Sequence, residues 1–426
     1  MRHEIKAQAY GPMGEPMAKA VSTCVHCGFC LSACPTYQEL GTETDSPRGR
    51  IILMKEVLEG KLPLETAAPH LDACLGCLAC VPACPSEVQY GDLISPFRAL
   101  HQGQQKRTIG SRIKRMLAQR TLPFPKRFRL AARTGRLAKP LRSLLPAPLR
   151  VMLELLPDSL PAAQPLKSHY PAIGQTRGRV AMLRGCAQSV LDPDINVATI
   201  EVLNRNGIEV LVPPEQVCCG ALSWHVGNLR QAQDFARRNL DAFPADVDAI
   251  VTNAAGCGSG MHEYPMILKG TPSEPTAVDF AGRVCDVSVY LAKLDRLEPI
   301  PACRPGLAIA YHDACHLSNA QGVRTEPRQL LSCIPGIQLR EIADGHLCCG
   351  SAGTYNIDQP EIAASLGQQK AAGVIDTQAQ IVAMGNIGCL TQIAKHLQLA
   401  GSAIEVRHTM QILRDAYAGR LGHELG

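Results

Sequence analysis

The sequence predicts an α+β protein, with a helical amino-terminal module built around two cysteine runs and a duplicated α/β cysteine-rich half after it. Three observations predict this class. One tightly spaced cysteine pattern occurs twice in the first hundred residues, with apolar residues at helical spacing between the copies. Apolar strand-like runs alternate with helical patterns through the carboxy-terminal half. The order of strands and cysteines in that half repeats once.

The bulk numbers bound the answer. A chain of 426 residues has room for two or three hydrophobic cores. With 46% hydrophobic and 19% charged residues it belongs with globular chains, not disordered ones. No apolar run is long enough to span a bilayer, and the opening MRHEIKAQAYGPMGEP lacks the apolar stretch of a secretory signal. A cytoplasmic location is therefore expected. In that reducing setting, 19 cysteines point to metal binding before disulfides.

Residues 1–100 form the first expected domain. Its runs are Cys24-Val25-His26-Cys27-Gly28-Phe29-Cys30, closed by Cys34-Pro35, and Cys74-Leu75-Gly76-Cys77-Leu78-Ala79-Cys80, closed by Cys84-Pro85. Both read C-x₂-C-x₂-C-x₃-C-P, the spacing of bacterial ferredoxins. Three closely spaced thiolates wrap one cluster, while the fourth points away and ligates the other. Two [4Fe–4S] clusters are expected, one on Cys24, Cys27, Cys30 and Cys84, the other on Cys74, Cys77, Cys80 and Cys34. Between the runs, residues 48–60 carry apolar side chains at helical spacing and end on Gly60, so a helix is expected there. This is a mostly helical, two-cluster ferredoxin-type module.

Residues 101–175 read as a basic, proline-rich connector with short amphipathic helices such as 111–120. From His101 to Arg150 there are 14 Lys and Arg and no acid, which leaves the remainder at −9 within a net charge of +5. Such segregation predicts a negative surface opposite it. Anionic lipid, an acidic partner subunit and a simple solvated connector stay open as readings. Aromatic residues make up only 4%, and no nucleic-acid module is visible, so DNA or RNA is not expected as a partner.

Residues 176–300 and 301–426 are the two α/β repeats. Copy one has strand-like runs at 179–186, 208–212 and 248–253 and a helical pattern at 196–206; copy two has strand-like runs at 307–315 and 379–384. Cysteine spacings run 32 then 38 in copy one and 33 then 40 in copy two. Copy one offers Cys186, Cys218, Cys219 and Cys257, and copy two offers Cys315, Cys348, Cys349 and Cys389. Several of these lie just past a strand, where parallel sheets collect functional groups. Four thiolates suit a further iron–sulfur cluster or zinc equally well by count; buried, unliganded thiols are the alternative. His312 and His316 flank Cys315 and read as packing or orienting groups, not ligands. Trp224 and His225 read as packing, and Cys285, Cys303 and Cys333 as isolated thiols. The run from Gly256 to Gly260 mimics a nucleotide-binding turn but lacks the spacing of G-x-G-x-x-G, and Cys257 explains it better.

With these motifs the chain resembles the iron–sulfur subunit of bacterial glycolate oxidase. The resemblance rests on both cysteine runs, Cys34-Pro-Thr-Tyr37, Ser46-Pro-Arg-Gly-Arg50, Cys218-Cys-Gly-Ala-Leu-Ser-Trp-His225 and Asn253-Ala-Ala-Gly-Cys-Gly258. It also rests on Tyr311-His-Asp-Ala-Cys-His-Leu317 and Leu347-Cys-Cys-Gly-Ser-Ala-Gly-Thr-Tyr355. It implies a complex in which two flavoprotein subunits oxidise glycolate to glyoxylate. This chain would carry the electrons towards a quinone or another acceptor, at the cytoplasmic face of the inner membrane. The Cys-Cys-Gly repeats also resemble those of heterodisulfide reductases, where each repeat ends in C-x-x-C; here the last position holds Gly260 or Gln392. The anaerobic glycerol-3-phosphate dehydrogenase subunit, a lactate-utilisation protein, a heterodisulfide-reductase-like enzyme and a zinc-stabilised scaffold are the competing readings. The sequence carries no flavin or nicotinamide fingerprint and no acid/base constellation, so no catalytic residue is assigned.

Overall fold

The structure is a computed structural model that describes residues 1–104, 107–140, 153 and 159–422. The remainder of the connector, with Arg142, Arg150 and the prolines at 146, 148 and 157, lies outside the described residues.

The first hundred residues are helical. Helices α1 (Gly14–Thr23), α2 (Pro35–Leu40), α3 (Pro47–Leu58), α4 (Leu64–Asp72) and α5 (Gly91–Leu100) frame the cysteine runs. Cys24 caps the end of α1, and Cys34 precedes α2, whose first residue is Pro35. Proline suits that position because its fixed φ is helical and its missing N–H would have no partner. Helix α3 falls where the sequence predicts one. Ser46 Oγ accepts from Gly49 N–H at 3.0 Å, Pro47 opens the helix, and Ile51, Met54 and Leu58 are buried. Met17, Val21, Leu93 and Phe97 share one core with Trp224, Phe235 and Tyr264 of the first repeat.

The connector forms two substantial helices, α6 (Ile109–Thr121) and α7 (Pro125–Ala138), longer than the pieces the proline pattern predicts. Phe128 and Ala132 of α7 bury against Val190. Part of the basic charge is used internally. Arg107 pairs with Asp72 at 2.6 Å, Arg115 lies between Asp72 and Asp358, and Lys114 donates to the Ile357 carbonyl at 3.0 Å. Arg129 donates to the carbonyls of Pro161 and Ser189. These cations clamp the connector onto the chain and are not turned to an external surface.

The repeats form two sheets. The first contains β1 (His169–Tyr170), β2 (Gly178–Met182), β3 (Ile208–Leu211), β4 (Ala249–Thr252) and β5 (Val284–Asp286), in the order β1-β3-β2-β4-β5. The second contains β6 (Leu307–Tyr311), β7 (Ile337–Glu341), β8 (Ile381–Met384) and β9 (Glu405–His408), in the order β7-β6-β8-β9. Apart from β1, which pairs antiparallel with β3, every pairing is parallel. With β1 set aside, the two orders are the same, so the duplication in sequence is a duplication of topology. Val180 faces Val210 and Ala249 across the first sheet, as Ile309 faces Leu339 and Ile381 across the second. The chain passes from β2 to β3 on one side and then from β3 back across β2 to β4 on the other. That reversal opens a crevice beyond the carboxyl ends of β2 and β4, and likewise of β6 and β8.

Both sheets contribute to a common core, in which Val180 and Met182 join Ile309, Tyr311 and Met410. The seam is polar and specific. Arg414 pairs with Asp194 at 2.6 Å, Asn206 donates to the Tyr417 hydroxyl, and His408 bridges the repeats. His408 Nδ1 accepts from Met410 N–H, so its Nε2–H donates to the Asn253 carbonyl at 2.9 Å.

This neutral, buried imidazole makes stability depend on pH. Burial pushes the His408 pKa down to about 4. An unfolded histidine binds its proton below about pH 6.5, whereas the folded one resists until about 4, so acid favours the unfolded chain between those values. The stabilisation is complete above pH 6.5 and is lost as pH falls towards 4, by up to about 3 kcal/mol. The urea midpoint is expected to fall between pH 7 and pH 5, and His408→Gln to flatten that slope. An unchanged slope in the variant refutes the assignment.

Candidate metal centres

Each amino-terminal cysteine run is curled by two left-handed residues at matching positions. These are His26 and Gly28 in the first run and Gly76 and Leu78 in the second, with φ of 59°, 87°, 66° and 57°. His26 and Leu78 pay for a conformation that L-residues avoid, and the curl that results turns three sulfurs towards one side.

Two neighbouring cavities sort the cysteines. The first is lined by Cys24, Cys27, Cys30 and Cys84, with Ile51 and Val88. The second is lined by Cys34, Cys74 and Cys77, with Arg50 and Leu75. Cys80 and Tyr90 stand in the wall between them and line both. The last cysteine of each run thus faces the cavity of the other run.

Charge around these sulfurs is uneven. Burial pushes the Cys77 and Cys80 thiols well up and Cys30 up to about 11. Cys74 is equally buried, yet Arg50 and Arg98 hold it below the usual thiol range, with help from Gly76 N–H at 3.4 Å and the Tyr90 hydroxyl at 3.7 Å. Arg50 is 1% exposed. Its guanidinium donates to the His70 carbonyl and Thr36 Oγ1, lies 3.5 Å from Asp45, and reaches within 3.8 Å of Cys34 Sγ. A cation this deep needs anionic neighbours. Four soft sulfurs around one cavity beside a fixed cation suit the anionic thiolate shell of an iron–sulfur cluster. Sequence reasoning placed Arg50 in the Ser46–Arg50 motif without a role, because its proximity to Cys34 and Cys74 arises only when α3 packs.

The two cavities differ in surroundings. Around the first, Cys27 is exposed and Val25 and Phe29 are each 65% exposed. The second abuts the second repeat: Leu75 packs with Cys315, Cys348 and Tyr355, Asn319 donates to the Cys77 carbonyl, and Tyr355 donates to the Ala73 carbonyl.

The repeat cysteines also converge. Cys186 and Cys218 are 3.4 Å apart, and Cys219 interacts with both Cys218 and Cys257. Cys315 and Cys348 are 3.9 Å apart, and Cys349 interacts with Cys348 and Cys389. Flanking thiols lower Cys219 and Cys349 by hydrogen bonding to their anions. The departure from C-x-x-C has a packing cause. A side chain at Gly260 would meet Ala221 Cβ at 2.4 Å, so the glycine lets helix Ala255–His262 carry Cys257 against the Cys-Cys-Gly turn. Gln392 is buried and donates to the Ala363 carbonyl.

The histidines part company. His312 stands beside Cys349 and Cys389, and the three ligand atoms lie within 4.8 Å of one another. His316 stacks at a tilt on His225, with ring centroids 5.1 Å apart. Glu263, which no sequence signal marked, accepts from Trp224 at 3.1 Å and pairs with His225 at 2.8 Å. Burial opposes its charge, but His225 holds its carboxyl below the usual range. Cys285, Cys303 and Cys333 remain apart from these groups; burial pushes Cys285 up to about 12, and Cys333 is exposed.

Comparison with known proteins agrees with this layout. Residues 20–88 match the 4Fe-4S dicluster domain, and residues 180–262 and 309–394 match the cysteine-rich domain. The chain is 38% identical to the probable glycolate oxidase iron-sulfur subunit of Bacillus subtilis (strain 168), over 92% of this chain and 93% of that one. It is also 38% identical to the glycolate oxidase iron-sulfur subunit of Escherichia coli (strain K12), over 92% and 93%. A component of the fumarate reductase (CoM/CoB) of Methanothermobacter marburgensis is 29% identical over 94% of this chain and 73% of that one.

Arg50 generates a test. A positive charge beside a redox centre favours its reduced, more negative state. Arg50→Met is expected to lower the midpoint potential of the centre bounded by Cys34 and Cys74, by tens of millivolts, and to leave the centre bounded by Cys24 and Cys84 nearly unchanged. A redox titration followed by electron paramagnetic resonance reads both; equal shifts refute the local role.

Proposed function

Because the chain belongs to the family of glycolate oxidase iron–sulfur subunits, we propose that it is the electron-transfer subunit of a flavin-dependent glycolate oxidase complex. Two flavoprotein subunits oxidise glycolate to glyoxylate, and this chain carries the electrons towards a quinone or another acceptor. Residues 1–100 are its cluster-bearing unit, and 176–300 and 301–426 its two cysteine-rich units.

Cys24, Cys27, Cys30 and Cys84 hold one [4Fe–4S] cluster in this reading, and Cys74, Cys77, Cys80 and Cys34 the other. Such clusters, when bound, supply reversible one-electron storage. The observation that carries the reading is the crossing of the runs, in which Cys84 lines the first cavity and Cys34 the second. The chain's own part is to shield the sulfurs and to balance their charge with Arg50 and Arg98. The four-cysteine groups of the repeats are candidates for a further iron–sulfur cluster or zinc.

Protein purified without oxygen is expected to carry about eight iron atoms at the two amino-terminal sites. Glycolate is expected to bleach their visible absorbance only when the flavoproteins are present. A colourless, zinc-loaded protein, or glycolate oxidation by the isolated chain, overturns the assignment.

Membrane contact has its own support. Helix α6 exposes Ile109, Ile113 and Met116 beside Arg112 and Arg120, and α7 exposes Leu130 and Leu137 beside Lys126 and Arg133. In each helix the exposed apolar and basic side chains fall at helical spacing on one face, which suits an anionic bilayer. Among the described residues no helix is long and apolar enough to cross a membrane, so the contact is peripheral in this reading. Sedimentation with anionic vesicles at low salt is expected, with release at high salt and loss on Leu130→Glu/Leu137→Glu. Absence of binding at either salt removes the membrane role.

A further inference from the structure

The two cysteine-rich copies share a topology but differ beside their sulfurs. His312 N–H donates to the Ala383 carbonyl on the neighbouring strand, and Leu183 N–H donates in the same way to Val251. His312 and Leu183 therefore occupy equivalent positions, each three residues before the first cysteine of its group. A second pair follows from the glycines of the Cys-Cys-Gly turns. Gly220 lies against Ala232 and Phe235, and Gly350 against Ala363 and Leu366. Four residues further along each helix stand Asn239 in copy one and Lys370 in copy two.

Both differences favour a metal in copy two. His312 is 1% exposed; neither ring nitrogen makes a hydrogen bond of standard geometry among the described residues, and the polar group it faces is the Cys349 sulfur, whose anion it favours. An imidazole buried in this way is costly unless something binds it. Its backbone bond to Ala383 fixes it on the sheet, with Cys349 and Cys389 within ligand reach. Lys370 is 5% exposed and donates to the carbonyls of Asp344 and Gly345. Three thiolates, a neutral imidazole and a divalent ion leave one negative charge, which this ammonium balances. Copy one offers four thiolates, a leucine and a neutral amide that donates to the Cys218 carbonyl and the Tyr264 hydroxyl.

We propose that the second copy, and not the first, binds a zinc ion through His312, Cys349 and Cys389, completed by a thiolate of the Cys315–Cys348 pair. Imidazole and thiolate together are the ligand set of tetrahedral zinc. This deepens the reading of the four-cysteine groups as metal sites and rests on it.

The full-length protein, purified without oxygen and equilibrated with zinc chloride before a chelator wash, is counted for zinc and examined by zinc-edge X-ray absorption. About one retained zinc per chain with a mixed nitrogen and sulfur shell is expected. His312→Ala is expected to lower zinc retention at least about tenfold. His312→Cys is expected to restore it with an all-sulfur shell, and Cys257→Ala in copy one to change neither count nor shell. An all-sulfur shell in the unmodified protein, full retention by His312→Ala, or loss on Cys257→Ala overturns the assignment. If no zinc is retained, the proposal falls as well. The brown absorbance of the amino-terminal centres, read on the same samples, separates these failures from a failure of the electron-transfer reading.

Discussion

A thiolate removed from water is costly unless a cation, a hydrogen-bond donor or a metal faces it. That requirement governs where this chain places its buried charge. Arg50 is held under α3, next to Cys34 and Cys74, and Arg98 holds the carbonyls of Leu71 and Cys74 from α5. Lys370 is the buried cation of the second repeat, within the field of Cys348, Cys349 and Cys389. Without Arg50 and Arg98 the Cys74 thiol would rise with burial, as those of Cys77 and Cys80 do. The helices and sheets can be seen as the means of holding a few cations at fixed range from many sulfurs.

The duplicated half meets this requirement through its topology. A parallel sheet whose crossovers diverge at its centre collects the ends of two adjacent strands in one place. In each copy, one cysteine follows each of those strands, and the Cys-Cys-Gly turn arrives after the neighbouring strand. Three separate stretches of chain thus deliver four sulfurs to one point. Gly260 shows how tight the delivery is, since even a methyl group there collides with Ala221. The same architecture then diverges through side chains alone, with Leu183 and Asn239 in one copy against His312 and Lys370 in the other.

Much of this was legible in the sequence, and the reasons are physical. Strands β2, β3, β4, β6 and β8 are predominantly apolar because most of them are buried in the sheets, and such runs stand out. Strands β1, β5, β7 and β9 escaped notice: β1 and β5 are only two and three residues long, and β7 and β9 are half-exposed and carry charged residues. Cysteine spacing announced each group, because ligand geometry is local. Arg50, Glu263 and Lys370 were silent because charge balance is settled by tertiary packing, between residues far apart in the chain. The connector's charge divides in a way composition could not show: Asp72, Asp358 and carbonyls within the chain engage Arg107, Lys114, Arg115 and Arg129, while Arg112, Arg120, Lys126 and Arg133 stay exposed.

The contrast between the two amino-terminal cavities also has a chemical cost. The loop around Cys27 is open, with Val25 and Phe29 projecting into solvent, while the loop around Cys77 is covered by Asn319, Leu75 and Tyr355. Dioxygen, peroxide and small chelators can reach the outer sulfurs without any rearrangement of the fold. Damage in air therefore begins at the solvent end, and the inner site outlasts it for as long as the second repeat stays docked. With both sites loaded as proposed, ageing should accordingly be stepwise, with the surface-facing half of the inorganic content disappearing first.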